Sequence, residues 1–192
     1  MNWRQQQKVE LKQALYACAV RLFEAQGFES TTVAQITTEL GVAKGTFFNH
    51  FPSKEHVIEQ WYDAITTDCL AAAKTASFAS AELAIASLFS EMSGRATASP
   101  ELLMAKAGNV INPLLVGAEM RQVKQVADYV RTQCQAGVER GELRADTDIH
   151  FVADLLVALL TGTSRAWVSS QPRFDFPDLI RRRVQFVFEA AR

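Results

Sequence analysis

Residues Thr31 to Lys54 read TTVAQITTELGVAKGTFFNHFPSK, and the spacing within this stretch decides the fold. Thr32-Val33-Ala34-Gln35 has the form of a capping box, in which a Thr side chain and a Gln three residues later satisfy each other's free backbone N–H groups and start a helix. The apolar face of that helix is Val33, Ile36 and Leu40, and Gly41 ends it. A second short helix is predicted from Ala43 to His50, after which Pro52 and Ser53 punctuate the chain. Helices of about eight residues are marginal in water by themselves, so both must lie on a third. Leu11, Leu15, Cys18 and Leu22 form the stripe of that third helix, which comes first in the chain and is closed by Gly27. Val33, Ile36, Leu40, Val42, Phe47 and Phe51, with Phe28, supply the shared core. Two short helices joined by Gly41-Val42 on a supporting helix form a helix-turn-helix, whose second short helix enters the major groove of DNA.

The side chains left outside that core suit nucleic acid. Lys44 reaches a phosphate or guanine, Thr46 a phosphate or a thymine methyl, and Asn49 and His50 donate to phosphate or base edges. Gly45 costs a helix about 1 kcal/mol relative to Ala, which is reasonable where a phosphate or base edge must approach the backbone. Thr32 and Lys54 stand at helix starts, where free N–H groups favour an anion. Phe48 completes the exposed set.

These residues resemble the N-terminal domain of TetR family regulators. The carriers are Gly27-Phe28, Thr31-Thr32-Val33, Ile36, Gly41-Val42, Gly45-Thr46-Phe47-Phe48-Asn49-His50-Phe51 and Lys54-Glu55. The resemblance covers about residues 8–60. Beyond them it rests on helical content and on Arg140-Gly141-Glu142-Leu143-Arg144. Three positions depart from the pattern. Thr37 stands where the family often has Ala, Ala43 where a capping Ser is usual, and Phe48 where a Tyr hydroxyl commonly meets a phosphate.

The rest of the chain reads as helix throughout. Ser80 is placed to cap one segment, and Ser99-Pro100-Glu101 opens another that Pro113 breaks. A helix is expected from about Val116 to Arg140, closed by Gly141. Two more follow over Asp146–Ser169 and Phe176–Ala190, with Pro172 and Pro177 flanking the last turn. The fold class is therefore all-α, about nine helices, with a helix-turn-helix DNA-binding domain over 1–53 (motif about 32–51) and a helical ligand-binding and dimerisation domain over 54–192.

Composition agrees with this division. The 192 residues are 48% hydrophobic and carry a net charge of −1, enough apolar content for a core and no overall basic coat. Residues 1–54 hold six Lys and Arg against four acids, and the remainder fourteen against seventeen, so the basic excess lies on the DNA side. Cys18, Cys69 and Cys134 have no metal-like spacing and read as buried free thiols. The three histidines share no ligand spacing either, so no metal and no cofactor is expected. A polar start without an apolar h-region, and an apolar run over Phe151–Leu160 too short to span a bilayer, predict a cytoplasmic protein with no membrane association. There is no nucleophile–base pair and no phosphate loop, which argues against an enzyme. Arg181-Arg182-Arg183 point three ways on a helix and read as a solvated face with carboxylate pairing.

The resemblance implies further expectations. The last two long helices would pair across a two-fold axis through Val152/Leu155/Leu156/Leu159 and Leu179/Ile180/Val184/Val187, with Trp167 and Phe188 in the interface. The partner would be a pseudo-palindromic double-stranded DNA operator, and a small-molecule effector would release a repressor from it. Apolar residues with a few polar ones line small-molecule pockets, so Trp61, Phe89, Met92, Met104, Asn109, Asn112, Met120 and Tyr129 are the candidate ligand set. Asn109 and Asn112 lead it, because a polar group near a core needs a partner. The alternatives are a helical protein-interaction module and an activator without a ligand.

Overall fold

A computed structural model describes residues 2–109, 111–171 and 173–192, and among them the secondary structure is helical. Pro172, expected to flank the last turn, lies outside the described residues. The order is α1 (Trp3–Gln26), α2 (Val33–Glu39), α3 (Lys44–Phe48), α4 (Glu55–Thr75), α5 (Ala81–Thr97), α6 (Pro100–Gly108), α7 (Pro113–Glu139), α8 (Ile149–Ser169) and α9 (Phe176–Ala191). The chain divides into two compact units. The first is Met1–Tyr62 with Ser99–Val116, and the second is Asp63–Ala98 with Gly117–Arg192. The division therefore falls within α4, later than residue 53, and α6 joins the first unit.

In the first unit, α1 supports α2 and α6, and α2 supports α3. The interior is built from Leu15, Cys18, Ala19, Phe23, Phe28, Ile36, Phe47 and Phe51, all buried. Phe23 meets Phe28 edge-on with ring centres 5.0 Å apart. Arg21 and Glu39 pair across the exposed rim of α1 and α2. The Ser99 hydroxyl, expected to cap α6, instead donates to Glu24 Oε1 at 2.6 Å. Pro100 takes the first position of α6 as predicted. α6 ends at Gly108, ahead of Pro113, so the proline does not break it but opens α7, where Asn112 Oδ1 accepts from the N–H groups of Leu114 (3.0 Å) and Leu115 (3.4 Å).

In the second unit, α9 packs on both α5 and α8. The Ser80 hydroxyl caps α5 through the Leu83 N–H at 3.1 Å. Asp148 and Asp175 cap α8 and α9 in the same way, so α8 begins three residues later than its apolar pattern suggests. Glu142 accepts from the Ala81 N–H at 2.7 Å and pairs with Arg140 at 2.6 Å. Burial raises the Glu142 pKa, but these two hydrogen bonds outweigh it and leave the carboxyl below its ordinary value. All three cysteines are free and buried, and burial pushes the Cys134 thiol up to about 11. Arg181 and Arg182 are exposed and both pair with Asp178, as a solvated face should, whereas half-buried Arg183 turns to the buried Thr163 hydroxyl.

Two expectations for the second unit change. Trp167 and Phe188 are buried inside one chain, and the Trp167 indole N–H donates to Phe174 O at 3.0 Å. They belong to the chain's own core. Over its full length α8 is also long and apolar enough to cross a membrane by length and composition, whereas Phe151–Leu160 alone is not. Its buried side carries Val152, Ala153, Leu156, Val157 and Leu160, while Asp154 and Arg165 lie on its exposed side.

Candidate nucleic-acid interface

The site begins with the turn before α2. Thr31 is buried, with its hydroxyl 2.8 Å from Gly27 O. Thr32 then starts α2 with the predicted capping box: the Gln35 N–H donates to Thr32 Oγ1 at 3.2 Å and the Thr32 N–H to Gln35 Oε1 at 2.7 Å. Thr37, buried at the contact with α1, satisfies its hydroxyl within the helix at Val33 O (3.0 Å) and Ala34 O (3.2 Å). The extra polar group therefore leaves no orphaned atom in the contact. Gly41 has φ +66°, a left-handed turn that favours glycine. The Val42 N–H then closes onto Thr37 O at 2.9 Å.

The second short helix, α3, is five residues long and lacks a side-chain cap at Ala43. Burial holds it in place. Phe47 is fully buried and stacks obliquely on Phe51 with ring centres 5.5 Å apart. This anchoring turns Lys44, Gly45, Phe48 and Asn49 outward and leaves Thr46 and His50 half-buried. Among the described residues Lys44 has no ion-pair or side-chain hydrogen-bond partner. A Cβ built on Gly45 would meet nothing within 4 Å, so packing inside the chain does not demand glycine there. Phe48 is 44% exposed and meets Phe47 edge-on at 5.7 Å.

His50 faces α1. Arg4, Gln7, Lys8 and Leu11 on that helix, with Asn49 and His50, line a shallow groove of about 560 Å³. Burial, then the charges of Lys8 and Lys12, hold the His50 imidazole below its ordinary pKa.

Residues 15–60 match the family model described as bacterial regulatory proteins, tetR family. Over these residues the chain is similar to the TetR family of regulators. The regulator TcmR of Streptomyces glaucescens is 44% identical over 69 residues, which are 36% of this chain and 30% of TcmR. The curated relatives that match are covered over only 17–30% of their own length. Solved structures extend the likeness of fold to nearly all of the chain. A transcriptional regulator from Cytophaga hutchinsonii aligns with TM-score 0.76 at 18% identity, over 96% of this chain and 98% of that one. The TetR-family repressor FadR of Thermus thermophilus, solved with lauroyl-CoA, aligns with TM-score 0.70 at 21% identity over 93% of each chain.

The structure treats Lys54 differently from the other members of the family motif. Its ammonium donates to Phe28 O at 2.8 Å and Thr31 O at 3.3 Å, and lies 4.1 Å over the Phe28 ring. It ties the turn before α2 to the start of α4. That helix starts at Glu55, one residue later than expected. The Ser53 hydroxyl meets the His56 ring at 3.0 Å.

The candidate ligand residues divide between the two units. Trp61, Met104, Asn109 and Asn112 belong to the first unit, and Phe89, Met92, Met120 and Tyr129 to the second. Asn109 donates to Ala105 O at 2.7 Å, and Asn112 caps α7, so both amides serve local backbone. Met120 is 68% exposed, and Phe89 and Met92 are core. Tyr129 stands on the wall of a groove of about 870 Å³ within the second unit, between α4 (Thr67, Leu70, Lys74) and α7 (Gln125, Gln133). Its hydroxyl is buried without a hydrogen-bond partner among the described residues, and burial raises its pKa. Lys74, Gln125 and Gln133 on this groove carry no motif and were not among the candidates.

Proposed function

We propose that the chain is a homodimeric, sequence-specific DNA-binding transcriptional regulator, a repressor that a small-molecule effector releases from its operator. One observation carries the reading. A helix of five residues, too short to stand alone, is fixed by buried Phe47 and presents Lys44, Gly45, Phe48 and Asn49 outward with no role inside the chain for the lysine's charge or the missing Cβ. Thr32, at the start of α2, and half-buried Thr46 and His50 complete the proposed contact set. Lys54 is left out of the contact set because its ammonium is engaged at two carbonyls.

Dimerisation is supported by α8 and α9. Phe151 and Phe186 are 66% and 72% exposed, and with Leu155 they border an apolar groove running along Val152 and Val187. Exposed clusters of this kind mark association surfaces. A two-fold pair implies recognition helices roughly 34–36 Å apart, or a multiple of that, and an inverted-repeat site. Release by an effector is supported by the groove beside Tyr129 and by the lauroyl-CoA that T. thermophilus FadR binds. α4 runs unbroken from Glu55 through the unit boundary at Tyr62. An occupant on its second-unit wall would bias the head through that helix, and about 1–3 kcal/mol of coupling suffices. The reading places the protein with the DNA, in the cytoplasm, and assigns it no enzymatic step.

Selection of bound duplexes from a random pool tests it. A short inverted repeat is expected. Failure to recover any duplex at low salt, with salt-independent capture of a protein instead, would replace this reading with that of a helical interaction module, because phosphate binding weakens steeply with salt.

A further inference from the structure

The first turns of α1 have no structural task inside the chain. Residues 2–10 are all exposed, and the buried residues of this helix begin only at Leu15. The helix nevertheless starts firmly. Asn2 and Gln5 form a capping box, with the Arg4 N–H donating to Asn2 Oδ1 and the Asn2 N–H to Gln5 Oε1, each at 3.3 Å. Arg4, Lys8 and Lys12 then follow at intervals of four, which stacks three cations on one face. Like charges at this spacing repel and destabilise a helix. The acid nearby, Glu10, is turned to Gln6 at 3.1 Å. Among the described residues neither Arg4 nor Lys8 has an ion-pair or side-chain hydrogen-bond partner. Lys12 lies 5.4 Å over the Phe51 ring, at the edge of the core that holds α3.

What faces these cations is the end of the recognition segment. Arg4, Gln7 and Lys8 form one wall of the groove whose other wall is Asn49 and His50. An unrelieved row of positive charge beside a surface that meets DNA suits a polyanionic backbone. We infer that the first turns of α1 are a second DNA-contacting element, in which Arg4 and Lys8 hold the phosphates that flank the groove entered by α3. This rests on the DNA-binding reading above. The contacts are to backbone, so they add affinity and register and leave the base preference to α3.

The test is the salt dependence of binding to the duplex selected by the wild-type chain, for the wild type, Arg4→Ala/Lys8→Ala and the charge-preserving Arg4→Lys/Lys8→Arg. Each phosphate contact contributes a slope of about 0.9 in log K against log salt. The double alanine variant is expected to flatten that slope by about 1.8 per bound chain, to select the same sequence, and to keep its helical circular dichroism, since Ala favours helix. The charge-preserving variant is expected to restore the slope. A wild-type slope in the alanine variant, on a duplex whose slope Lys44→Ala does flatten, overturns the inference and leaves the DNA-binding reading intact. A flattened slope that the charge-preserving variant fails to restore overturns it also, and absence of any DNA binding by the wild type overturns both.

Discussion

Replacing Lys54 by Met keeps the aliphatic stem and removes only the ammonium. In the wild type that group donates to Phe28 O at 2.8 Å and to Thr31 O at 3.3 Å, and stands 4.1 Å over the Phe28 ring. A hydrogen bond to a charged group contributes about 1.5–3 kcal/mol, and an exposed cation–π contact about 0.5–1. The two share one ammonium and do not add fully. Phe28 O also keeps the Thr31 N–H at 3.3 Å, so that carbonyl is not left without a partner. The expected loss is therefore about 2 kcal/mol, at the low end of the combined range. For a chain of this size it lowers Tm by about 4–8 °C. The assay pairs a thermal melt with the salt slope of DNA binding. The structure predicts a lower Tm and an unchanged slope for Lys54→Met. An unchanged Tm with a slope flattened by about 1 would show that the ammonium faces a phosphate and that the carbonyl tie is not what holds the turn.

Gly45→Ala is expected to leave the fold intact or to stabilise it by up to about 1 kcal/mol, because a Cβ there meets nothing within 4 Å. The same change lowers operator affinity in a binding titration, and full affinity would remove the argument that DNA approaches this backbone. Phe186→Asp is expected to convert a dimer to a folded monomer in sedimentation, since Phe186 is 72% exposed in a single copy, and a variant that remains dimeric would move the interface elsewhere. The His50 imidazole should titrate below its ordinary 6.5 in an NMR experiment, and Lys8→Ala should raise it, because burial and then Lys8 and Lys12 hold it down. Between that lowered value and about 6.5 the unfolded chain binds more protons, so this group makes stability climb with pH through that window. His50→Gln should remove that part of the slope, and an unshifted or raised titration would contradict the packing of His50 against α1.

Legibility in the sequence followed how local each determinant is. The capping box at Thr32, the turn at Gly41 and the burial of Ile36, Phe47 and Phe51 depend on neighbours a few residues away, and spacing shows them. Lys54 depends on carbonyls more than twenty residues earlier, which no local pattern reveals, so a helix-start argument pointed its charge outward. Asn109 and Asn112 read as ligand groups because they lie near apolar residues, yet the Asn109 amide N–H and the Asn112 amide oxygen each serve the helix end beside them. In α8 and α9 the apolar stripes are wider than one face. A sequence does not say which half turns inward, and so the stripes point to Trp167 and Phe188 for an interface although the exposed aromatics are Phe151 and Phe186. The first turns of α1 are silent in the sequence for a different reason. They carry no apolar periodicity, and their significance lies in what stands across from them, Asn49 and His50.

The account rests on α3 being the element that meets DNA. The affinity of the selected inverted repeat for the wild type and for Lys44→Ala, measured across a range of salt, tests this most directly. Steep salt dependence in the wild type, with weaker binding and a slope flattened by about 0.9 per chain in the variant, is the predicted result. Binding by Lys44→Ala that matches the wild type in both affinity and slope would contradict it, and would mean that the exposed face of α3 is not the surface that DNA contacts.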